Sequence, residues 1–191
     1  MSTWISRTFA VSAALATLTA CVMDTGTGRS ATILGGAVTI GTPAGYCVDR
    51  SAGSNTRDSA VVLMGKCSKA GTAHPALITV SVGTTDSAGV LNAGGPALAA
   101  FFTSPQGRAM LSRSGRAADV RVAGIVKMDH AYLIHVIDRR AGDHWRAVTS
   151  TAGRLVTISA IGAETPVLSP ADSRRLVEST LQALQNANVG P

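Results

Sequence analysis

The sequence predicts an α+β fold: an antiparallel sheet with a helical stretch after its third strand and a C-terminal amphipathic helix packed on it. Apolar, β-branched segments between residues 119 and 161 follow one another with only short turns between them, which indicates an antiparallel meander. Pro96, after a strand-like segment, is typical of the first turn of a helix. A second helix start is indicated at Ser169-Pro170, before a stretch with helical apolar spacing.

The first half of the folded region is rich in strands. Apolar and β-branched residues predict strands or extended chain at residues 33–40, 45–49, 60–67 and 76–82. The first of these segments is interrupted by Gly35-Gly36. Polar residues 50–59 predict a loop between the second and third segments, and a long Gly- and Ser-rich loop is expected over residues 83–95.

Two short helices and a run of strands follow. Pro96 opens one helical stretch, and Ser104 with Pro105 has the N-cap and first-turn pattern of another. Strands are then predicted at residues 119–128, 131–138, 145–149 and 155–161. The turns between them are predicted at residues 129–130, 139–144 and 151–154.

The C-terminal helix has the clearest pattern. Ser169 is placed to cap it, Pro170 to begin it, and Asp172 to complete a variant of the capping box. Apolar residues then recur at helical spacing at Leu176, Val177, Leu181 and Leu184. Arg174, Arg175 and Glu178 take the other side, so one face should pack on the sheet.

The order of these elements resembles the PsbP/Mog1-like sandwich, in which an antiparallel sheet carries helices on both sides. The resemblance rests on element order and covers the domain loosely. It implies an architecture and carries no implication for function.

Residues 1–20 have the layout of an export signal. Arg7 is the only charged residue, and an uncharged, mostly apolar run follows it to Leu18. That run is short for a membrane-spanning helix, which needs about 20 apolar residues. An ordinary signal-peptidase cut after Ala20 would place the large Leu18 where a small side chain is required.

Leu18-Thr19-Ala20-Cys21 resembles the lipobox of bacterial lipoprotein precursors. The resemblance implies cleavage before Cys21 and acylation of that cysteine, so that its acyl chains anchor the protein in a membrane. The chain then divides into a lipoprotein signal peptide (1–20), a lipidated tether (21–31) and a single α+β periplasmic domain (32–191). Val22 rather than Asp follows the cysteine, which implies the periplasmic face of the outer membrane, with the inner membrane as the alternative. An ordinary signal peptide or an uncleaved anchor is the competing interpretation.

Cysteine usage predicts one cross-link. Once Cys21 is acylated, Cys47 and Cys67 are the two thiols left, and an exported protein enters an oxidising compartment. A disulfide is therefore favoured over a metal pair or a catalytic thiol. If residues 45–49 and 60–67 form an antiparallel hairpin, the two cysteines can face each other across it.

Composition bears on partners. Loss of Arg7 with the signal peptide lowers the formal net charge from +6 to +5. In an exported protein, a mild positive charge fits nearness to anionic lipid or envelope polymers. No basic run interleaved with aromatic residues occurs, so nucleic-acid binding is not supported. No cofactor is predicted, and the oligomeric state stays open.

The histidines do not form a metal-binding motif. They are His74, His130, His135 and His144, and Asp129, Asp138 and Asp143 lie near the last three in sequence. No HxH or HExxH spacing occurs, so solvated turn residues are favoured over a metal site.

Catalytic motifs are also missing from the sequence. No GxSxG nucleophile elbow occurs. Gly94-Gly95 before Pro96 could present amides to an anion, but its spacing fits neither a P-loop nor a dinucleotide fingerprint. The one local basic patch, Arg139, Arg140, Arg146 and His144, is interpreted as a solvated hairpin tip in preference to a lipid-headgroup contact.

Two classes of function remain. The favoured one is a membrane-anchored envelope lipoprotein that acts as a non-catalytic binding or scaffolding module, with an envelope protein as one candidate partner. The alternative is a small, hydrolase-like envelope enzyme without a recognisable motif.

Overall fold

The computed structural model describes residues 27–164 and 167–189, so the predicted signal peptide and Cys21 lie outside the described residues. The described strands are β1 (Thr27–Gly28), β2 (Ser30–Ile33), β3 (Val38–Gly41), β4 (Tyr46–Asn55), β5 (Ala60–Lys66), β6 (Ala76–Val82), β7 (Val120–Met128), β8 (Ala131–Asp138), β9 (Gly142–Thr151) and β10 (Arg154–Gly162). The described α-helices are α1 (Gly94–Thr103), α2 (Pro105–Leu111) and α3 (Pro170–Asn188). The 3₁₀ segments in the described ranges are Leu34–Gly36, Ser87–Ala93 and Ala117–Asp119.

Eight of the described strands form one antiparallel sheet, in the order β1-β4-β5-β6-β10-β9-β8-β7. The other two, β2 and β3, form a separate antiparallel hairpin. The sheet joins two sequential meanders, β4-β5-β6 and β7-β8-β9-β10, because the last strand of the second returns to pair with β6. The predicted α+β class, with its antiparallel sheet, its helical stretch and its packed C-terminal helix, is confirmed.

Helix α3 covers one face of the sheet. Ser169 caps it by accepting a hydrogen bond from the backbone N–H of Asp172, and Pro170 occupies the first position, as predicted. The helix contacts β3, β9 and β10. Its buried apolar residues, Leu176, Val177, Leu181 and Leu184, join the large core formed with β2, β3 and the inner face of the sheet.

Helices α1 and α2 lie on the other face. Leu133 of β8 belongs to the α3-covered core, whereas its neighbour Ile134 packs in a second, smaller core with Leu111 of α2. Successive residues of a strand point to opposite faces, so the two cores lie on opposite sides of the sheet. Gly107 lets the two short helices cross closely, because a Cβ there would stand 2.1 Å from the carbonyl oxygen of Phe101.

Strand β4 runs further than the sequence predicts. Residues 50–55 belong to the strand rather than to a polar loop. The register shifts between Asp49, which pairs with Leu63, and Gly53, which pairs with Val62. This irregularity takes residues 50–52 out of register. It needs glycine, because Gly53 has φ +99° and a Cβ there would approach the carbonyl oxygen of Val61 to 2.2 Å.

Two predicted loops are shorter than expected. The 83–95 loop contains the 3₁₀ segment Ser87–Ala93, which is held to β10 because the Ser87 hydroxyl accepts a hydrogen bond from the backbone N–H of Leu155. The predicted 139–144 turn ends before Gly142, where β9 begins. Asp138 closes that turn early by accepting hydrogen bonds from the N–H groups of Arg140 and Ala141, which leaves the following residues free to pair with β8.

The predicted disulfide is present. Cys47 and Cys67 are bonded, with their Cα atoms 4.9 Å apart. The two are not directly opposite, since Cys47 pairs with Gly65 and the N–H of Cys67 donates to the carbonyl of Gly45. The displacement from the predicted symmetric hairpin arises from the extra residues in β4, which change the register on the cysteine side of the irregularity.

Candidate ligand-binding groove

The sheet face opposite α3 is only partly covered. On that face β6 and β10 present hydroxyl side chains in place of large apolar ones. These are Thr79 and Ser81 of β6 and Thr157 and Ser159 of β10, all half-buried. They alternate with fully buried residues such as Val80 and Ile158, which point toward α3. The alternation thus separates the α3-covered face from an open, hydroxyl-lined one.

An apolar cavity of about 400 Å³ lies between this open face and helices α1 and α2. Its walls are Val90, Ala93, Ala97, Leu98, Phe101, Phe102, Met110, Val148, Leu155 and Thr157. Three wall residues keep large exposed fractions for apolar side chains: Met110 at 69%, Val90 at 49% and Phe101 at 40%. Half of the six large apolar side chains exposed in the described residues therefore gather at the rim of one cavity.

A polar cavity of about 250 Å³ adjoins the apolar one, and Thr157 lines both. Its walls are Leu77, Thr79, Ser81, Arg113, Ala141, Arg146, Thr157, Ser159 and Ile161. Two arginines and four hydroxyls are present, and no carboxylate is among these wall residues. We call the two cavities together the groove, with an apolar end under α1 and α2 and a cationic end at Arg113 and Arg146.

Arg146 is held in place by its own strand. Its Nε donates a hydrogen bond of 3.4 Å to Nε2 of His144, whose Nδ1 lies 3.0 Å from the carbonyl oxygen of Gly142. Because Arg146 donates to Nε2, that nitrogen accepts the hydrogen bond and carries no proton. The imidazole is therefore neutral, with its proton on Nδ1. Burial lowers the pKa of His144 from its ordinary value, and the nearby positive charge of Arg146 lowers it further.

The Arg146 guanidinium is itself largely desolvated. Burial lowers its pKa, while the negative charge of Asp138 acts in the opposite direction. Within residues 27–164 and 167–189, no carboxylate oxygen lies within ion-pairing distance of Arg146. The cation is therefore partly buried, directed into the groove, and left without a direct counter-ion in the described part of the chain.

Asp138 does not serve as that counter-ion because it is fully engaged. It is 2% exposed and accepts hydrogen bonds from the backbone N–H groups of Arg113, Arg140 and Ala141. Burial alone would raise the pKa of Asp138, but these three donors outweigh it and hold the pKa below its usual value. Through its contact with Arg113, Asp138 also fixes the end of α2 beside the groove.

The hydroxyls of the groove have no partners within the described residues. Thr79, Ser81, Thr157 and Ser159 make no side-chain hydrogen bond to any described group. Hydroxyls both donate and accept, so they can bond an anion or a neutral polar group without rearrangement. With the two arginines they give the cationic end its binding chemistry.

The structure separates the basic patch expected from the sequence. Arg139 and Arg140 are exposed at the β8–β9 turn, as predicted. His144 is not a solvated turn residue: it lies in β9 and is 1% exposed. Arg146 likewise leaves the hairpin tip and lines the groove. The interpretation of His144 as a solvated residue is wrong because β9 begins earlier than its sequence context indicates. Arg146 lies in the predicted strand, and the interpretation fails there because its side chain is on the sheet face that carries the groove.

The remaining histidines are scattered. His135 lies on the α3-covered face, 2.5 Å from Asp143 and stacked on Trp145 at 4.7 Å between ring centres. His130 is exposed in the β7–β8 turn, and His74 is exposed 3.8 Å from Asp172. No set of three or more His, Cys, Asp or Glu side chains in the described ranges is placed to hold a metal ion.

The Gly94-Gly95 pair begins α1, in agreement with the helix-start pattern of the sequence. Gly94 has φ +79°, and a Cβ added at Gly95 would stand 3.3 Å from Cε1 of the Tyr132 ring. Another surface depression of about 580 Å³ is lined by Gly65, Lys66, Lys69, Pro75, Ala76, Leu77, Ala163 and Glu164. It shares the wall residue Leu77 with the polar cavity, but it has no large apolar wall like that under α1 and α2, and Glu164 places a carboxylate beside its lysines. The groove combines enclosure, apolar surface and charge, and is the better candidate.

Sequence reasoning missed the groove, although one signal for it was present. In β6 and β10, Thr and Ser occupy alternate positions among apolar residues. That pattern marks strands with one packed face and one open face. No protein-family model matches the chain, and comparisons with curated proteins and with solved structures find no match.

Proposed function

We propose that this protein is a membrane-anchored envelope lipoprotein whose folded domain is a non-catalytic binding module. The observation that carries the binding role is the groove, an open cavity pair with an apolar and a cationic end on the sheet face that α3 leaves uncovered. Concave sites of this size with few polar groups are typical of ligand binding.

The anchor is supported by the lipobox-like Leu18-Thr19-Ala20-Cys21 and the apolar run before it. We place the protein on the periplasmic face of the outer membrane because Val22 follows the acylated cysteine, with the inner membrane as the alternative. None of the helices in the described residues is long and apolar enough to cross a membrane. The Cys47–Cys67 disulfide agrees with an oxidising compartment.

The enzyme alternative gains no specific support. The His135–Asp143 pair is the arrangement closest to an acid–base device, with its ring stacked on Trp145. No described serine, threonine or cysteine hydrogen-bonds to His135, so the pair lacks an activated nucleophile in the described part of the chain. The groove, in turn, contains no carboxylate and no imidazole among its wall residues.

The anchor is tested by the Cys21→Ser variant in a bacterial host fed a radiolabelled or alkyne-tagged fatty acid. We expect wild-type protein to carry the label and to sediment with the membranes, and the variant to stay unlabelled and unprocessed. Cys67→Ser serves as the control, because it also removes one cysteine but leaves the lipobox intact. Equal labelling of wild type and Cys21→Ser would overturn the anchor. Separation of the two membranes then tests the outer-membrane assignment.

A further inference from the structure

The two ends of the groove have different chemistry and lie close together. Leu155, Thr157 and Ser159 follow one another on the same face of β10, with the apolar end at Leu155 and the cationic end at Ser159. Alternate residues of a strand are separated by about 6.5–7 Å. One ligand molecule can therefore occupy both ends, and that ligand must be apolar at one end and polar at the other.

The apolar end fits a flexible hydrocarbon. Apart from Thr157, its walls carry only aliphatic, aromatic and thioether side chains, so it offers no polar group to orient a heterocycle or a sugar. Phe101 and Met110 remain exposed at its rim, and an occupant would remove their apolar surface from water. The flexible methionine side chain adapts readily to a chain without fixed shape.

The cationic end fits a carboxylate or phosphate. Guanidinium groups bind both anions with paired hydrogen bonds, and Arg146 is held by His144 while it lacks an ion pair in the described residues. Arg113 supplies a second, exposed positive charge at the same end. The hydroxyls of Thr79, Ser81 and Ser159 can bond the remaining oxygens.

We propose that the groove binds an amphiphile made of an acyl chain and an anionic head group, with the chain under α1 and α2 and the head group at Arg146 and Arg113. This inference rests on the proposed binding function and names the ligand class. A long-chain fatty acid and an anionic membrane phospholipid share this chemistry. A second protein is the less favoured occupant, because the apolar cavity lies beneath α1 and α2 and has a volume of only about 400 Å³.

The experiment uses the mature, acylated protein in phosphatidylcholine vesicles with a photoactivatable diazirine analogue of palmitate. After illumination, labelled peptides are mapped by mass spectrometry. We expect the label within residues 94–111, which form α1 and α2. Unlabelled palmitate should compete it away. A diazirine fatty alcohol of the same length lacks the anionic group. Its labelling of this segment should be at least about tenfold weaker than that by the palmitate analogue.

Variants test each end separately. Ala97→Trp places a large side chain into the apolar end from an exposed helix position and should abolish the labelling. Ala100→Trp is the matched control, since Ala100 is exposed on the same helix but does not line the groove. Both variants should melt like the wild type.

The cationic end is tested by Arg113→Gln and by Arg113→Gln combined with Arg146→Gln. We expect palmitate labelling to fall in the single variant and by about tenfold or more in the double variant. Arg139→Gln with Arg140→Gln removes the same charge from the hairpin tip outside the groove and should leave labelling unchanged. If Arg146→Gln lowers the folded fraction, the single variant Arg113→Gln tests the cationic end, because Arg113 is exposed and its replacement should not disturb the fold.

The same assay with a photoactivatable phosphatidylglycerol distinguishes a fatty acid from an anionic phospholipid as the ligand. The unlabelled lipid that competes more strongly for the groove is the preferred ligand, and either result supports the proposal. Labelling only at residues that do not line the groove, equal labelling by the fatty alcohol, or insensitivity to Ala97→Trp would overturn it. Groove labelling that appears only in Cys21→Ser protein would mean that the protein's own acyl chains fill the groove, which also overturns it. A failed anchor test with positive groove labelling rejects the anchor alone.

Discussion

Nε of Arg146 and Nε2 of His144 share a hydrogen bond of 3.4 Å between two residues on one face of strand β9. The bond exists only while the imidazole is neutral, because a protonated ring carries a donor on each nitrogen. A doubly protonated ring would also place two positive charges side by side in a buried position. The state of this histidine is therefore linked to the stability of the fold and to the position of Arg146.

Acidification should weaken the fold through His144. Its pKa is lowered in the folded state by burial first and by Arg146, and the opposing effects of Gly142, Asp138 and Asp143 do not cancel this. The unfolded chain, with a histidine pKa near 6.5, then binds the proton more readily. Stability from this group is present above about pH 6.5 and is lost as the pH falls from there through the folded pKa. Denaturant titrations between pH 8 and pH 5 measure the loss.

The control for this pH effect is a histidine outside the core. His144→Gln should flatten the pH dependence of the free energy of unfolding over that range, whereas His130→Gln should leave it as in the wild type, because His130 is exposed. An unchanged pH dependence in His144→Gln would contradict the assignment.

Removal of a buried side chain from α3 should be costly. Leu181 is 3% exposed in the large core, so Leu181→Ala should lower the free energy of unfolding by about 2–5 kcal/mol. Gln182, the next residue, is exposed, and Gln182→Ala should change it by less than about 0.5 kcal/mol. Arg174 is a poorer control because its guanidinium lies over the Trp145 ring and pairs with Glu178. Similar melting shifts in Leu181→Ala and Gln182→Ala would show that the helix face is wrongly assigned.

The disulfide should stabilise the domain without affecting the groove. It closes a segment with a sequence separation of 20, which corresponds to about 3 kcal/mol in the chain-entropy account. Replacement of Cys47 and Cys67 together by Ala should lower the melting temperature, and a reductant should then have no further effect. The wild-type protein should lose stability on reduction. Palmitate labelling at a temperature below both transitions should match the wild type.

The close packing of α1 against α2, which forms one wall of the apolar end, should depend on Gly107. A methyl group there would stand 2.6 Å from the Cα of Phe102 as well as against the Phe101 carbonyl, so Gly107→Ala forces α1 and α2 apart. We expect a loss of about 1–3 kcal/mol in the free energy of unfolding. Gly89→Ala is the control, because nothing lies within 4 Å of the added Cβ. Equal stability of the two variants would mean that the helix pair accommodates the methyl group by a shift.

Local patterns in the sequence were sufficient to predict much of the fold. Strands β6 and β8 match their predicted ranges, because each is dominated by apolar and β-branched residues and lies between turn signals. The start of α3 follows from Ser169 and Pro170, whose effects are local. The disulfide follows mainly from the number of cysteines left after acylation and from the oxidising compartment, and the hairpin geometry permits it.

Other parts depend on contacts between distant residues. Asp143 and His144 have the composition of a turn, and only their pairing with Ile137 and Val136 of β8 makes them a strand. Residues 53–55 have the composition of a loop, yet β5 provides their backbone partners. The groove depends on which face α3 covers and on where α1 and α2 pack. Arg113 and Arg146 are 33 positions apart in sequence, and only the fold brings both to one cavity.

The two cores differ greatly in size. Among the described residues, twenty-four buried side chains form the core under α3, and five form the core beneath α1 and α2. Local opening costs least where few apolar groups are buried, so segment 87–111 should exchange its amide hydrogens faster than α3 and the central strands. A ligand bound in the groove contacts this segment and should lower the frequency of its local opening. Occupancy should therefore be visible as slower amide exchange in this one segment, with the rest of the protein unchanged.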